Sequence, residues 1–200
     1  ALGDALAATS AAATARTSPL AWTQPTALAL CLAESLDALG RSDARDQIER
    51  YLRWFKVGHL SATGRPGEGH ASPDVAKALA TFRWRGLPVA GSHDPKDAAA
   101  TSLPRVLAAA LFACADPAAA IALAAECSRT THQSPLILDS CRAYSAMLLC
   151  ALRGQPAQEW LQAVPEPVPG CWATRPLRKD VRAAVAAGPS AEDAKVTGGT

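Results

Sequence analysis

The chain of 200 residues is long enough for one domain with a buried core, and we assign residues 1–200 to a single domain. Hydrophobic residues make up 49% of the chain and charged residues 19%, as in globular proteins, while the low aromatic content of 5% favours close-packed helices over a β-sandwich. The net charge of +2 without a dense Lys/Arg block predicts no nucleic-acid partner, and the lack of an apolar run near the roughly 20 residues that cross a bilayer predicts no membrane partner.

Helical patterns recur along the whole chain, whereas strand patterns are almost absent. In chain order, the predicted helices are a leucine stripe that ends near Gly40, an apolar repeat at residues 48–55, a helix from Pro73 that stops at Gly86, a segment at residues 103–114, helices that begin at Pro117 and Pro135, and weaker segments at residues 157–163 and 177–187. Three of them begin with a capping residue followed by proline, which is typical of helix N-termini. We therefore predict an all-α fold, a compact bundle of several helices.

Four predicted loops separate these helices, at residues 11–25, 59–71, 87–101 and 164–176. The second and third contain glycines, which permit tight backbone turns. If the helices pack as a bundle, these loops can meet at one end and line a cleft.

The six cysteines are scattered and include no CxxC pair. Cys31, Cys114, Cys141 and Cys150 fall within apolar helical patterns, where a free thiol acts as a small hydrophobe. Disulfides or a zinc site are the weaker alternative, because neither the spacing nor a short secreted chain supports them. We therefore expect a reducing, cytoplasmic compartment.

The segment Trp22-Thr23-Gln24-Pro25-Thr26 leads directly into the first predicted helix. It resembles the first metal-binding element of the ADP-ribosylglycohydrolase family, a Trp-Thr-Asp-Asp-Thr turn that presents two carboxylates to a magnesium pair. Further similar motifs follow over most of residues 1–160: Gly3-Asp4-Ala5-Leu6-Ala7, residues 47–55, residues 59–65, residues 99–105 and Ser128-Arg129-Thr130-Thr131-His132. The resemblance implies an all-α hydrolase of glycosidic ADP-ribose bonds, with ADP-ribose or an ADP-ribosylated protein as its partner.

Both carboxylates of the family's metal-binding turn are replaced in this chain. Gln24 offers a neutral amide oxygen, which is a poorer magnesium ligand, and Pro25 offers no side-chain donor. We therefore expect no catalytic residue, no metal site beyond a remnant at Thr23, and no cofactor. The same residues also fit a plain helix entry, with Gln24 outside the helix and Pro25 at its first position.

The resemblance implies five ligand-binding positions: Thr23, Glu68, Ser102, Arg105 and His132. Ser102 and Arg105 match the family's Gly-Asn-Gly-Ser-Leu-Met-Arg loop, which approaches ADP-ribose through backbone amides. Structural alternatives exist for most of them. Glu68 fits a surface turn, Ser102 a helix N-cap, Arg105 a solvated helix face, and His132 a loop residue capping the next helix.

Three hypotheses for function follow. The favoured one is a degenerate pseudo-hydrolase that keeps the fold and a cleft for ADP-ribose or a related ligand. The second is an active magnesium-dependent hydrolase that removes ADP-ribose from a modified side chain, with carboxylates supplied by a missing segment or a partner chain. The third is a structural or interaction protein without nucleotide binding. Because the chain begins without Met and lacks the family's Asp-x-Asp-Thr motif, we expect a piece of a longer product without the C-terminal third.

Overall fold

The computed structural model describes residues 21–160 and 163–188 of the chain. The described elements are the α-helices α1 (Gln24–Leu39), α2 (Ala44–Val57), α3 (Pro73–Arg85), α4 (Val106–Phe112), α5 (Pro117–Ser128), α6 (Pro135–Leu152), α7 (Ala157–Trp160) and α8 (Lys179–Ala187), with short 3-10 helices at Glu68–His70 and Leu103–Arg105. Within the described residues, the extended pairing is confined to an isolated parallel bridge between Ser92 and His132. The predicted all-α fold is confirmed.

Side-chain caps explain where several helices begin. The Asp43 carboxylate accepts hydrogen bonds from the backbone of Arg45 and Asp46 at the start of α2, and Asp116 does the same for the first turn of α5. The Ser134 hydroxyl accepts a bond from the Ile137 amide at the start of α6. Each cap satisfies backbone N–H groups that have no partner within the helix, so these boundaries are encoded locally.

The main core lies between the first four helices. Leucines of α1 pack against aromatic residues of α2 and the apolar face of α3, and α4 closes this cluster with alanines. A second set of contacts joins α4, α5 and α6, and Leu177 and Val181 of the α8 region cover the far side of α6. Small residues on α4 and α5 permit this close packing, as the alanine-rich composition predicts.

Helix α6 is 18 residues long, with a mean hydropathy of 1.3, and by length and composition alone it could cross a membrane. In this fold it is a core helix that contacts α4, α5 and α8. It also carries Asp139 and Arg142, which form an ion pair of 2.9 Å. A central core helix passes the same length test, so this observation is weak evidence for a membrane span.

The structure differs from the prediction at the segment 103–114. It opens with the 3-10 helix Leu103–Arg105, and α4 ends at Phe112, so Cys114 lies in the following turn and is exposed rather than packed. Pro104 lies inside this opening and lacks the N–H that a longer α-helix would need. The predicted Gly3-Asp4-Ala5-Leu6-Ala7 motif and the C-terminal tail lie outside the described residues.

Candidate functional site

The first turn of α1 lies against the first turn of α3. Gln24 is the first residue of α1 and is buried, and Pro25 follows it in the same turn. The Gln24 amide donates from Nε2 to the Ser72 hydroxyl at 2.8 Å, while its Oε1 accepts from the Ser72 backbone N–H at 2.6 Å. Both polar atoms of the Gln24 side chain therefore serve to join two helix N-termini. The expectation that Gln24 lies outside the helix is wrong, since Thr23 is the N-cap.

These residues do not fit a magnesium pair. Two adjacent divalent cations need several hard, preferably anionic, oxygen ligands. The Gln24 amide oxygen already accepts from Ser72, and Pro25 carries no donor atom. Within residues 21–160 and 163–188, no group of three or more His, Cys, Asp and Glu side chains is arranged to hold a metal ion.

The loop between α3 and the Leu103–Arg105 turn lies against the segment that precedes α6. Backbone bonds join Ala90 to Thr130 and Gly91 to Arg129 at 3.3 Å each, and Gln133 to Ser92 at 3.0 Å. A Cβ added at Gly91 would collide with the backbone of residues 131 and 132. Glycine is therefore required there by close approach. This contact holds the segment containing His132 in place.

Asp74 and His132 form a side-chain hydrogen bond between residues that lie far apart in the chain. The Asp74 carboxylate, in the first turn of α3, contacts His132 Nε2 and the Thr101 hydroxyl directly. Thr101 Oγ1 also lies 3.0 Å from His132 Nε2. The His132 side chain is 1% exposed, whereas the Asp74 side chain is 14% exposed. The pair thus connects the buried interior with the surface.

Behind His132, the network continues to a buried arginine. Thr131 Oγ1 lies 2.7 Å from His132 Nδ1, and Arg105 Nη2 donates to the same hydroxyl at 2.6 Å. The Arg105 guanidinium is 1% exposed and lies 5.0 Å from the centre of the Tyr51 ring, a cation–π contact. Its Nε and Nη1 have no hydrogen-bond partner among the described residues.

The electrostatics of the pair favour an ionised Asp74 and a neutral His132. Burial on its own would raise the pKa of Asp74, but hydrogen bonds from Thr101 and Ser72, together with His132, hold that pKa below its usual value. Burial lowers the pKa of His132, and the positive charge of Arg105 lowers it further against the opposing effect of Asp74. A neutral imidazole beside a carboxylate is therefore the state at neutral pH.

A second buried polar group lies next to this network. Ser128 Oγ donates to Ser102 Oγ at 2.8 Å and also lies 3.3 Å from the His132 carbonyl oxygen. Ser102 Oγ contacts the Cys141 thiol of α6 at 3.7 Å. Ser102 opens the 3-10 turn, but its hydroxyl makes no capping bond, so the predicted cap role is wrong.

A cavity of about 290 Å³ opens beside this network. It runs along the outer face of α3 and the loop at residues 90–97, and Asp74 and Thr131 form part of its wall. The remaining wall includes both charged and aromatic side chains, namely Lys77, Trp84, Arg85 and Asp97. A half-open cavity with charged side chains in its wall, beside a residue with a perturbed pKa, is a candidate ligand site.

The predicted site residues separate into two groups. Ser102, Arg105 and His132 come together in the buried network, and the alternative of a solvated face for Arg105 is wrong. Glu68 lies in the 3-10 helix Glu68–His70, where its 61% exposed side chain pairs with Lys56 at 3.3 Å. Thr23, the N-cap of α1, is exposed next to Gln24.

Sequence analysis missed three members of the network, Asp74, Thr101 and Thr131. Asp74 lies in the first turn of α3, where an acidic residue is accounted for by its favourable interaction with the helix N-terminus, so the pattern offers no reason to place it in a site. Its partner His132 lies 58 residues later in the chain, so no local spacing could pair them. Thr131 belongs to the motif at residues 128–132, but no role was predicted for it.

Comparison with known proteins identifies a family and two relatives of the chain. A family model described as ADP-ribosylglycohydrolase matches residues 1–199 of the chain. The chain is also similar to a protein named ADP-ribosylarginine hydrolase Tri1 from Pseudomonas putida (strain GB-1), with 29% identity over 141 residues that cover 70% of the chain and 37% of the relative.

A second relative bears the same name and comes from Serratia proteamaculans (strain 568). It is 27% identical over 154 residues, which cover 77% of the chain and 42% of the relative. The chain thus spans about two fifths of the length of these curated relatives.

Proposed function

This chain belongs to the ADP-ribosylglycohydrolase family, and from that membership we propose that it is a hydrolase-like protein impaired in catalysis that binds ADP-ribose or a related ligand. The observation that carries the proposal is the Gln24 side chain, whose two amide atoms bond to Ser72. At the position where the family resemblance implies a magnesium-binding carboxylate, this chain has a structural link between two helices.

The loss of charge supports impaired catalysis. Catalysis by two metal ions depends on anionic ligands that fix both cations and thereby orient the attacking water. Gln24 and Pro25 supply no negative charge, so each cation would lose part of its electrostatic stabilisation. The same substitutions leave the fold intact, because Pro25 suits the first turn of a helix and Gln24 stabilises the start of α3.

The cavity beside Asp74 supports retained ligand binding. In its wall, the cationic side chains of Lys77 and Arg85 can bind phosphate, and the exposed indole of Trp84 can stack on a base. The carboxylates of Asp74 and Asp97 can accept hydrogen bonds from sugar hydroxyls. The six free cysteines support the further proposal of a reducing, cytoplasmic setting.

The test combines binding and turnover. Calorimetric titration of ADP-ribose should show saturable binding, while incubation with ADP-ribosylated arginine and magnesium should release no ADP-ribose above the uncatalysed level. Turnover with magnesium would overturn the claim of impaired catalysis. No heat of binding with ADP-ribose would favour a structural or interaction protein instead.

A second candidate is an active magnesium-dependent hydrolase that removes ADP-ribose from a modified side chain. The name of both relatives, ADP-ribosylarginine hydrolase, favours it. It requires carboxylates from a segment outside these 200 residues or from a partner chain. Restoration of magnesium-dependent hydrolysis when a longer product or a partner is added would support this candidate over the first.

A further inference from the structure

The four side chains Arg105, Thr131, His132 and Asp74 form a line in which each hydrogen bond has one allowed direction. A guanidinium has only donors, so Thr131 Oγ1 accepts from Arg105 across 2.6 Å. The single proton of the Thr131 hydroxyl is then directed to His132 Nδ1, 2.7 Å away. Because Nδ1 accepts, the ring proton of a neutral His132 lies on Nε2, which faces Asp74.

We infer that Arg105 is a positioning residue of the ligand cleft, which acts through Thr131 to fix the tautomer of His132 and so keeps Asp74 as a carboxylate in the cavity wall. There, Asp74 accepts a hydrogen bond from a ligand hydroxyl, as a carboxylate does with a ribose diol. The identity of that ligand rests on the proposed function. The line of hydrogen bonds from Arg105 to Asp74, which we call the relay, does not depend on it.

The charges around His132 are consistent with this role. Asp74 of α3 and Asp97 of the loop that follows α3 favour protonation of the ring, and Arg105 of the 3-10 turn opposes it. Among the described residues, Arg105 forms no ion pair with a carboxylate, so its charge is not neutralised by a direct partner. Burying a cation with a single hydrogen bond lowers the stability of the fold. The buried position of Arg105 is explained if its guanidinium orients the Thr131 hydroxyl towards His132.

Nitrogen NMR of His132 in the full chain tests the relay directly. The wild type and the control variant Thr131→Ser, which keeps the hydroxyl, should show a neutral ring with its proton on Nε2. Thr131→Val has nearly the same shape but no donor, so the Nδ1 signal should move to that of a nitrogen without a hydrogen bond. The titration midpoint should rise by about one pH unit, because only the neutral ring can accept the bond that is lost. Identical Nδ1 signals and midpoints in the Ser and Val variants would overturn the inference.

A second variant separates charge from hydrogen bonding. Arg105→Gln keeps a donor towards Thr131 but removes the positive charge, so the tautomer should persist while the midpoint rises. A purely structural role for Arg105 would lower the melting temperature and leave both NMR signatures unchanged.

The ligand contact is tested with ADP-ribose by calorimetry. Asp74→Asn should weaken binding by about tenfold, because a hydrogen bond to a charged acceptor becomes one to a neutral acceptor. Asp37→Asn, at an exposed position, is the control and should bind ADP-ribose as the wild type does. Equal affinities for both variants would overturn the role of Asp74. If the wild type itself binds no ADP-ribose, the proposed function fails, whereas the NMR result still decides the relay.

Discussion

Replacing Gln24 by alanine is expected to destabilise the fold through the loss of one local link. The Gln24 amide makes two hydrogen bonds to Ser72, at 2.8 and 2.6 Å, and its side chain is buried. A neutral hydrogen bond contributes about 0.5–1.5 kcal/mol net, and the half-buried Ser72 groups lose their partner as well. We therefore expect the free energy of unfolding to fall by about 1–3 kcal/mol.

Urea denaturation at pH 7.5 measures this loss, with Gln158→Ala on the exposed surface of α7 as the matched control. The control should change stability by less than about 0.5 kcal/mol. A double-mutant cycle with Ser72→Ala should give a coupling of about 0.5–1.5 kcal/mol, because the two side chains share one bond. A Gln24→Ala variant as stable as its control would refute the structural role assigned to Gln24.

Three further predictions concern the same region. The pKa of His132 is lowered in the folded state, so the free energy of unfolding should fall as the pH drops below the unfolded pKa of about 6.5. The contribution of His132 to this fall is at most about 1.4 kcal/mol per pH unit. His132→Gln should remove this contribution, as measured by the difference in the free energy of unfolding between pH 7.5 and 5.5. Gly91→Ala should lower the melting temperature markedly, since its Cβ would collide with residue 132, whereas Gly69→Ala, with open space around it, should not; equal shifts would contradict the close approach. In the double variant Gln24→Asp with Pro25→Asp, magnesium should raise the melting temperature, whereas it should not do so in the wild type. If magnesium raises neither melting temperature, these two positions do not face a cation.

The helices were predictable because their signals are local. The caps Asp43, Asp116 and Ser134 and the C-terminal glycines Gly40 and Gly86 each act within one turn of their own helix. The segment around Cys114 was mispredicted because apolar periodicity continues past the point where α4 ends at Phe112 and a turn begins.

The site was only partly predictable, because its contacts are not local. His132, Ser102 and Arg105 were found through the family resemblance, but Asp74 was not, since it meets His132 only when α3 packs beside the segment before α6. The link between Gln24 and Ser72 spans 48 residues in the chain. Such pairings depend on tertiary packing, which spacing within one segment does not report.

The most direct test of the account is a calorimetric titration of magnesium into the unmodified chain, in the presence of saturating ADP-ribose. With Gln24 bonded to Ser72 and no donor on Pro25, we predict no saturable binding below millimolar magnesium. Binding of two magnesium ions at micromolar concentration would contradict the account.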